Sequence, residues 1–595
     1  MAPLGVGPAA RDRDRPTGDS APAERIPVVD GAGETATLGE TQGGHATGGV
    51  GDSVSAIGGG CHGYRRVGVG MKILLASVFG PYGVDDGYGR ASSRMELFHN
   101  QVTREQGVFS IRFFHESFGL HFLAQNVTPP TTVLDFPTEA RFIAELREGY
   151  GLVGISFIVP NFLKAKRMAE LVRRHAPQAK IVLGGHGVQV PQVADEIPHD
   201  HLCVGEGVHW LRGLLGEDPQ PAIRHPIRPA TFGGRILGVP VEDRSGHLTP
   251  GLGCPKGCRF CSTSSFFGRR YIPYVETGKE MFDLCVAIER GLNVRRFFVM
   301  DENFLQHPER ARELLALMEQ HGKPYRFNLF SSAENIANVG IDFLVRLGVV
   351  SIWLGVESKF EIYDKNRGVD FKTLVHDLRD HGISVLASAI LFLDQHNHDT
   401  IWEDIRFTVG LEPDLIQFMQ LGPAPYTPLY RGMKATGRLV EEVPYPDWHG
   451  QDRIWFTHPH FKPEETEPLL TNAFRYDYDT LGPSLVRMCD TYLRGYRSLA
   501  TMRDPFIKAR REAIKRRAVK FRPFLPAARD HAHNDYAREL VDRVTAEYRE
   551  AFGPMTLKQH VLSQVVRAYA AREAWRVASG RNVYQPQTLL TRYRS

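Results

Sequence analysis

Twice along the chain, short unbroken apolar runs alternate with helical stretches, and this alternation most constrains what the sequence can fold into. In the first block Met71-Lys-Ile-Leu-Leu-Ala-Ser-Val opens as a buried strand. Val153-Gly-Ile-Ser-Phe-Ile-Val, Lys180-Ile-Val-Leu-Gly-Gly-His-Gly and His201-Leu-Cys-Val follow, with a helical stretch over 162–176. Continuous rather than alternating apolar runs are expected of parallel strands covered on both faces. The second block repeats the pattern with Arg296-Phe-Phe-Val-Met, Tyr325-Arg-Phe-Asn-Leu, Ser351-Ile-Trp-Leu-Gly, Ser384-Val-Leu-Ala-Ser-Ala-Ile-Leu-Phe and Leu415-Ile-Gln-Phe-Met.

The expected class is α/β. Residues 71–225 read as a Rossmann-like doubly wound domain, whose ligands bind beyond the carboxyl ends of the strands. A linker rich in Pro, Arg and Gly covers 226–245. Five strands, plus one before the cysteine loop described below, predict a partial (β/α)6 TIM-type barrel over 246–445. Strand signals then fade, and 446–595 reads as a mainly helical C-terminal domain. Residues 1–70 have few large apolar residues and cannot offset ordering entropy. They read as a disordered extension, or as sequence ahead of a true start at Met71.

With 72 basic and 68 acidic residues among 595, the net charge is +4, too small to argue for a nucleic-acid partner. No run approaches the ~18 apolar residues of a membrane span, and no signal sequence opens the chain, so a cytoplasmic protein is expected. The seven cysteines are odd in number and three are clustered, which argues against a secreted disulfide framework.

Those three form Cys254-Pro-Lys-Gly-Cys258-Arg-Phe-Cys261, a CxxxCxxC loop just before a helix. Thiolates are the usual ligands of iron–sulfur clusters, and three of them on a short loop leave one iron of a cubane open. A structural zinc site needs four ligands, and Cys285 and Cys489 are isolated. An electron-transfer cluster usually has four cysteines as well.

CxxxCxxC with an aromatic before the last cysteine, here Phe260, resembles the signature of the radical S-adenosylmethionine (radical SAM) enzymes. The resemblance implies a four-iron four-sulfur cluster held by Cys254, Cys258 and Cys261, with SAM chelated at the open iron. One electron, from a reductase partner, then yields methionine and a 5′-deoxyadenosyl radical. It also implies SAM contacts from Phe260 and from the polar strand ends Asp301-Glu302-Asn303, Ser332-Ala333-Glu334 and Glu357-Ser358, where barrel enzymes keep functional groups. Capping of the next helix is the competing reading for each.

Ahead of it, Gly184-Gly185-His186-Gly187 and Gly205-Glu206, with Ser156, resemble the cobalamin-binding domain that precedes one large class of these enzymes. Its glycines allow close approach of a flat ligand. An Asp-x-His-x-x-Gly motif, whose histidine ligates cobalt in many such domains, does not occur between residues 71 and 225. The resemblance therefore implies cobalamin-dependent methylation of an unactivated carbon in a small molecule or lipid. Two alternatives stay open: cobalamin-independent radical coupling, cyclisation or rearrangement, and a non-enzymatic cobalamin or cluster sensor.

Residues 494–522 hold eleven basic residues against Asp504 and Glu512, with apolar residues interleaved. Such a helix can sit on an anionic membrane, bind a nucleic acid or acidic substrate, or be a solvated face paired with acids. Peripheral membrane contact is the sharper expectation.

Overall fold

The computed structural model describes residues 71–79, 101–242, 244–360, 364–366, 368–581 and 584–594. The expectations for residues 1–70 lie outside them. The described residues all belong to one compact unit.

Two six-stranded sheets organise it. The first contains β1 (Ile73–Ser77), β2 (Thr131–Asp135), β3 (Leu152–Ser156), β4 (Lys180–Gly184) and β5 (His201–Leu202). Alternate residues face opposite sides. Leu74, Ala76, Val153, Ile155, Ile181 and Leu183 meet the helix Phe162–His175. Ile73, Leu75, Val133, Leu152 and Val182 pack toward the helices Phe118–Gln125 and Gly207–Leu215. Both faces are therefore dry, which is why these strands show no polar alternation.

The second sheet contains β6 (Gly246–Leu248), β7 (Arg296–Val299), β8 (Arg326–Ser331), β9 (Val349–Glu357), β10 (Ser384–Leu391) and β11 (Leu415–Gln420). These strands lie in sequence order and every pairing is parallel. Phe297, Phe327, Leu329, Ile352, Leu354, Val385 and Ala387 point to the helix-covered side and belong to the largest core. The opposite, inner face builds registered layers. Phe330 pairs with Trp353, Trp353 with Leu386, and Leu386 with Leu415; one step on, Gly355 pairs with Ser388 and Ser388 with Gln417. An apolar layer thus underlies a polar one.

Two features add to the expected domain layout. The Gly-rich 226–245 segment is not a plain linker: Phe232–Ile236 pairs with both Val239–Pro240 and Arg112–Phe114. The C-terminal region is mainly helical, from Pro463–Leu481 to Leu557–Ala578, yet its last strand, β12 (Leu589–Tyr593), joins the edge of the first sheet antiparallel to β2. The helix Ser484–Ser498 also meets the second sheet's framework backbone to backbone. A Cβ on Gly495 would lie 2.3 Å from the Gly382 Cα.

Candidate active site

The cysteine loop follows β6, and Cys261 lies just before the short helix Ser262–Phe266. Cys254, Cys258 and Cys261 are half-buried free thiols. All three line a cavity of about 440 Å³ with Phe260, Glu302, Asn303, Ser332, Glu357 and Lys365. Burial pushes the Cys254 thiol up, and that of Cys261 to about 11. Bare thiolates are thus disfavoured here and a cationic iron centre would stabilise them, binding with proton release. The three-thiol donor set fits the cluster.

Around the thiols, polar groups from successive strand ends are tied together. The Asn303 Oδ1 accepts from Ser331 Oγ at 3.0 Å, Ser332 N at 3.0 Å and Asn335 Nδ2 at 3.1 Å. Its amide donates to Gln306 Oε1 at 3.3 Å, which in turn receives Cys254 Sγ at 3.8 Å. The buried Ser332 Oγ has no hydrogen-bond partner, an orphan a ligand could satisfy. Glu357 sits at the end of β9 with φ of 62° and is ion-paired with Lys365. Burial works against the Lys365 ammonium, but the Glu357 carboxylate outweighs it and the net shift is upward.

Three of the expected SAM contacts are engaged elsewhere. Asp301 is held by Arg310 at 3.0 Å and Tyr271 at 2.9 Å and caps Asn303 N at 3.0 Å. Glu334 pairs with Lys256 of the cysteine loop at 2.6 Å, half exposed. Ser358 donates to Asp404 at 2.6 Å beside the buried His396–Asp404 pair, away from the cavity. Sequence reading missed Lys365, Gln306, Phe330 and Trp353, none of which lies in a recognisable motif.

A second cavity of about 440 Å³ opens at the carboxyl ends of the first sheet. Ser156, Gly184, Gly185, His186, Gly205 and Glu206 line it, together with Met300, Asp301 and Glu302 from the second. Gly185, at φ +84°, allows the chain to turn where a Cβ would lie 2.5 Å from Phe157 O. Gly187 does not line the cavity; it packs under Phe157, whose ring a Cβ would meet at 2.2 Å. The buried His186 Nδ1 has no partner, its ring lies 4.4 Å from that of Phe266, and burial lowers its pKa to about 4. A neutral imidazole with a vacant ring nitrogen, beside a glycine cradle, fits a large flat ligand such as cobalamin. Glu206 is a helix cap, accepting from Val208 N at 2.7 Å and His209 N at 2.8 Å, and also from Tyr274 Oη at 2.6 Å.

The two cavities share Glu302 and Phe330. Glu302 lines both, and partial desolvation at this junction, reinforced by Asp301, raises its pKa to about 7.

Residues 248–408 match the sequence model of the Radical SAM superfamily. The chain carries a radical SAM domain. Such a domain works with a four-iron four-sulfur cluster and SAM. Among similar proteins is the hopanoid C-2 methylase of Rhodopseudomonas palustris strain TIE-1, 25% identical over 313 residues, covering 48% of this chain and 58% of that one. Another is the bacteriochlorophyllide d C-12(1)-methyltransferase of Chlorobaculum tepidum, 26% identical over 352 residues, 55% of this chain and 74% of that one. A third, the anaerobic magnesium-protoporphyrin IX monomethyl ester cyclase of Rubrivivax gelatinosus, is 22% identical over 400 residues, 60% of this chain and 68% of that one. The solved radical SAM methyltransferase TsrM from Kitasatospora setae, with cobalamin and its cluster bound, aligns over 76% of this chain and 99% of its own. The identity there is 16% and the TM-score 0.48.

Outside the radical SAM domain, much of the basic 494–522 segment packs against the body. Its apolar residues Leu493, Ile514, Phe521, Phe524 and Leu525 are buried in the main core. Arg510 is enclosed and donates to Val349 O and to Gly382 O. Arg511 stacks on Tyr496 at 3.9 Å, and Arg517 donates to Tyr492 Oη at 2.8 Å. Arg494 and Arg497 are paired with Asp380, Asp490, Glu547 and Glu550. Phe506, Ile507 and Val519 stay partly exposed. No helix among the described residues is long and apolar enough to cross a membrane.

Proposed function

We propose that the chain is a cobalamin-dependent radical SAM methyltransferase acting on an unactivated carbon of a small apolar acceptor, a lipid or a secondary metabolite. The observation that carries the reading is the meeting of the two cavities at Glu302 and Phe330. C-methylation needs a radical source and a methyl source to face one acceptor carbon, and this junction is where such a carbon would touch both.

Bound there, the cluster and one SAM would supply a 5′-deoxyadenosyl radical, and cobalamin would supply a methyl group taken from a second SAM, which leaves as S-adenosylhomocysteine. Cys254, Cys258 and Cys261 would hold the cluster, and Phe260, Asn303, Ser332 and Glu357 would orient SAM. Ser156, Gly184, Gly185, His186 and Gly205 would cradle cobalamin. The apolar walls, among them Phe118, Phe266 and Phe330, would favour an apolar acceptor. The electron donor would be a reductase. The strand order supports a doubly wound domain over 71–225 and a partial (β/α)6 barrel over 246–445, with functional groups at the carboxyl ends. Two of the relatives above are named as a methylase and a methyltransferase, which favours this reading; the cyclase among them favours a second one, radical cyclisation in the same cavities.

The test is cobalamin retention. Anaerobically reconstituted protein should keep stoichiometric cobalamin through gel filtration. A cluster-loaded protein that keeps none would remove the methyl source and leave cyclisation.

A further inference from the structure

The largest of the three main cavities, about 560 Å³, lies under the apolar layer of the second sheet's inner face. Its walls include Phe298, Phe330, Trp353, Leu386, Leu415 and Met488. Phe330 borders all three cavities, and Trp353 borders both this one and the cluster cavity. The two rings stack at 5.1 Å and 24°. Trp353 Nε1 donates upward into the polar layer, to Ser388 Oγ at 2.6 Å, and Ser388 donates to Gln417 at 2.8 Å. The Trp353 ring is thereby fixed as a partition, with its polar edge in the polar layer and its apolar face toward the space below.

Most polar groups in this cavity's wall are engaged within the protein, Arg296 with Asn328 Oδ1 at 3.4 Å among them. Arg112 lies 3.7 Å from Glu573, Arg517 donates to Tyr492, and His115 Nδ1 sits 2.8 Å from Ala230 O. Burial lowers the His115 pKa, which disfavours a charged ring. A polar occupant would lose water and gain few partners, whereas an apolar one loses nothing. Exposed charges, Glu242 and Arg244, appear only where the wall reaches the surface next to the 232–240 hairpin. The volume is that of a whole small-molecule site rather than a packing defect.

We propose that this third cavity is the acceptor site, and that the acceptor is an elongated apolar molecule with an extended hydrocarbon body. The carbon to be modified lies at Phe330, the body runs beneath Trp353 along Leu386 and Leu415, and a polar end reaches the rim at Glu242 and Arg244. An acyl chain and a fused-ring terpenoid share this chemistry. The location of the modified carbon rests on the methylation reading above; the binding of the hydrocarbon body does not.

The test uses the full chain with its cluster and without cobalamin, and cis-parinaric acid as a fluorescent hydrocarbon probe. Saturable uptake is expected, displaced by stearate if the acceptor is acyl or by cholesterol if it is fused-ring. Leu415→Trp and, separately, Met488→Trp should fill the cavity and weaken uptake tenfold or more. Neither residue lines the cluster cavity, so iron content and SAM binding should hold and report a folded protein. Absence of saturable uptake, displacement by neither competitor, or wild-type uptake by a folded filled variant would overturn the proposal. Cobalamin retention is measured apart, so hydrocarbon binding without it would sink the methylation reading and leave the acceptor site standing.

Discussion

The Glu357–Lys365 pair allows the sharpest dissection of the cluster cavity. Glu357 projects from the end of β9 in a left-handed conformation, and Gly355 leaves the room: a Cβ there would lie 2.5 Å from Glu357 Oε1 and 3.0 Å from Lys365 Nζ. The side chains are 9% and 16% exposed, and that remaining surface faces the cavity. If the carboxylate orients SAM, Glu357→Gln removes a charge-assisted hydrogen bond, a loss of about 1.5–3 kcal/mol. That is about ten- to a hundredfold in SAM affinity. Lys365→Met removes the group that holds the carboxylate and should cost a similar amount. The double variant should bind like Glu357→Gln alone, because a lysine that acts only through Glu357 has nothing left to position; the coupling is then about 1.5–3 kcal/mol, within the range for contacting residues. Equilibrium dialysis of labelled SAM against cluster-loaded protein, normalised to iron content, reads all four corners. Losses that simply add, or a Glu357→Gln variant with wild-type affinity, would refute the reasoning and make the pair a packing feature.

Further outcomes follow from the same geometry. Replacing Cys254, Cys258 and Cys261 together by Ala should abolish iron incorporation on anaerobic reconstitution; retained iron absorbance would place the cluster elsewhere. Gly495→Ala, forced against the Gly382 backbone, should destabilise by about 1–3 kcal/mol, as overpacking typically does, seen as a lowered thermal midpoint. Arg510→Glu, placing an enclosed carboxylate against Val349 O and Gly382 O, should give insoluble protein, while exposed Arg516→Glu should purify normally. Soluble, folded Arg510→Glu would contradict the packing of 494–522. Partial desolvation in the cavity junction lifts Glu302 from 4.5 to about 7, so the folded protein holds this proton more tightly than the unfolded chain. Its stabilising contribution is complete below about pH 4.5 and lost as pH rises through about 7. Carbon-13 difference spectra between wild type and Glu302→Gln should show that titration, and a midpoint near 4.5 would refute it.

How far the sequence alone reaches depends on how local each feature is. β1, β3, β4 and β10 are legible because strands buried on both faces need uninterrupted apolar runs. The cysteine loop is legible because cluster chemistry fixes its spacing. β12 is not, since Leu589–Tyr593 is short and partly exposed and its partner, β2, lies far away along the chain. The Phe232–Ile236 hairpin hides behind its two glycines, whose composition imitates a linker. At the site, strand-end positions pointed to Asn303, Ser332 and Glu357 but equally to Asp301 and Ser358, because capping and ligand contact use the same residue types. Only the fold shows Arg310 and Asp404 taking the last two. The charge of 494–522 was countable, but of the acids that answer it only Asp490 is a helical neighbour, four residues from Arg494; Asp380, Glu547 and Glu550 sit on other helices.

The central claim is that two cofactor cavities serve one methylation. Its most direct test is the fate of SAM when reduced, cluster-loaded enzyme meets an apolar metabolite extract, with and without added cobalamin. The account predicts that S-adenosylhomocysteine and 5′-deoxyadenosine accumulate in step, with a methylated product, and only when cobalamin is present. Substrate-dependent 5′-deoxyadenosine at the same rate without cobalamin, and no S-adenosylhomocysteine, would contradict it.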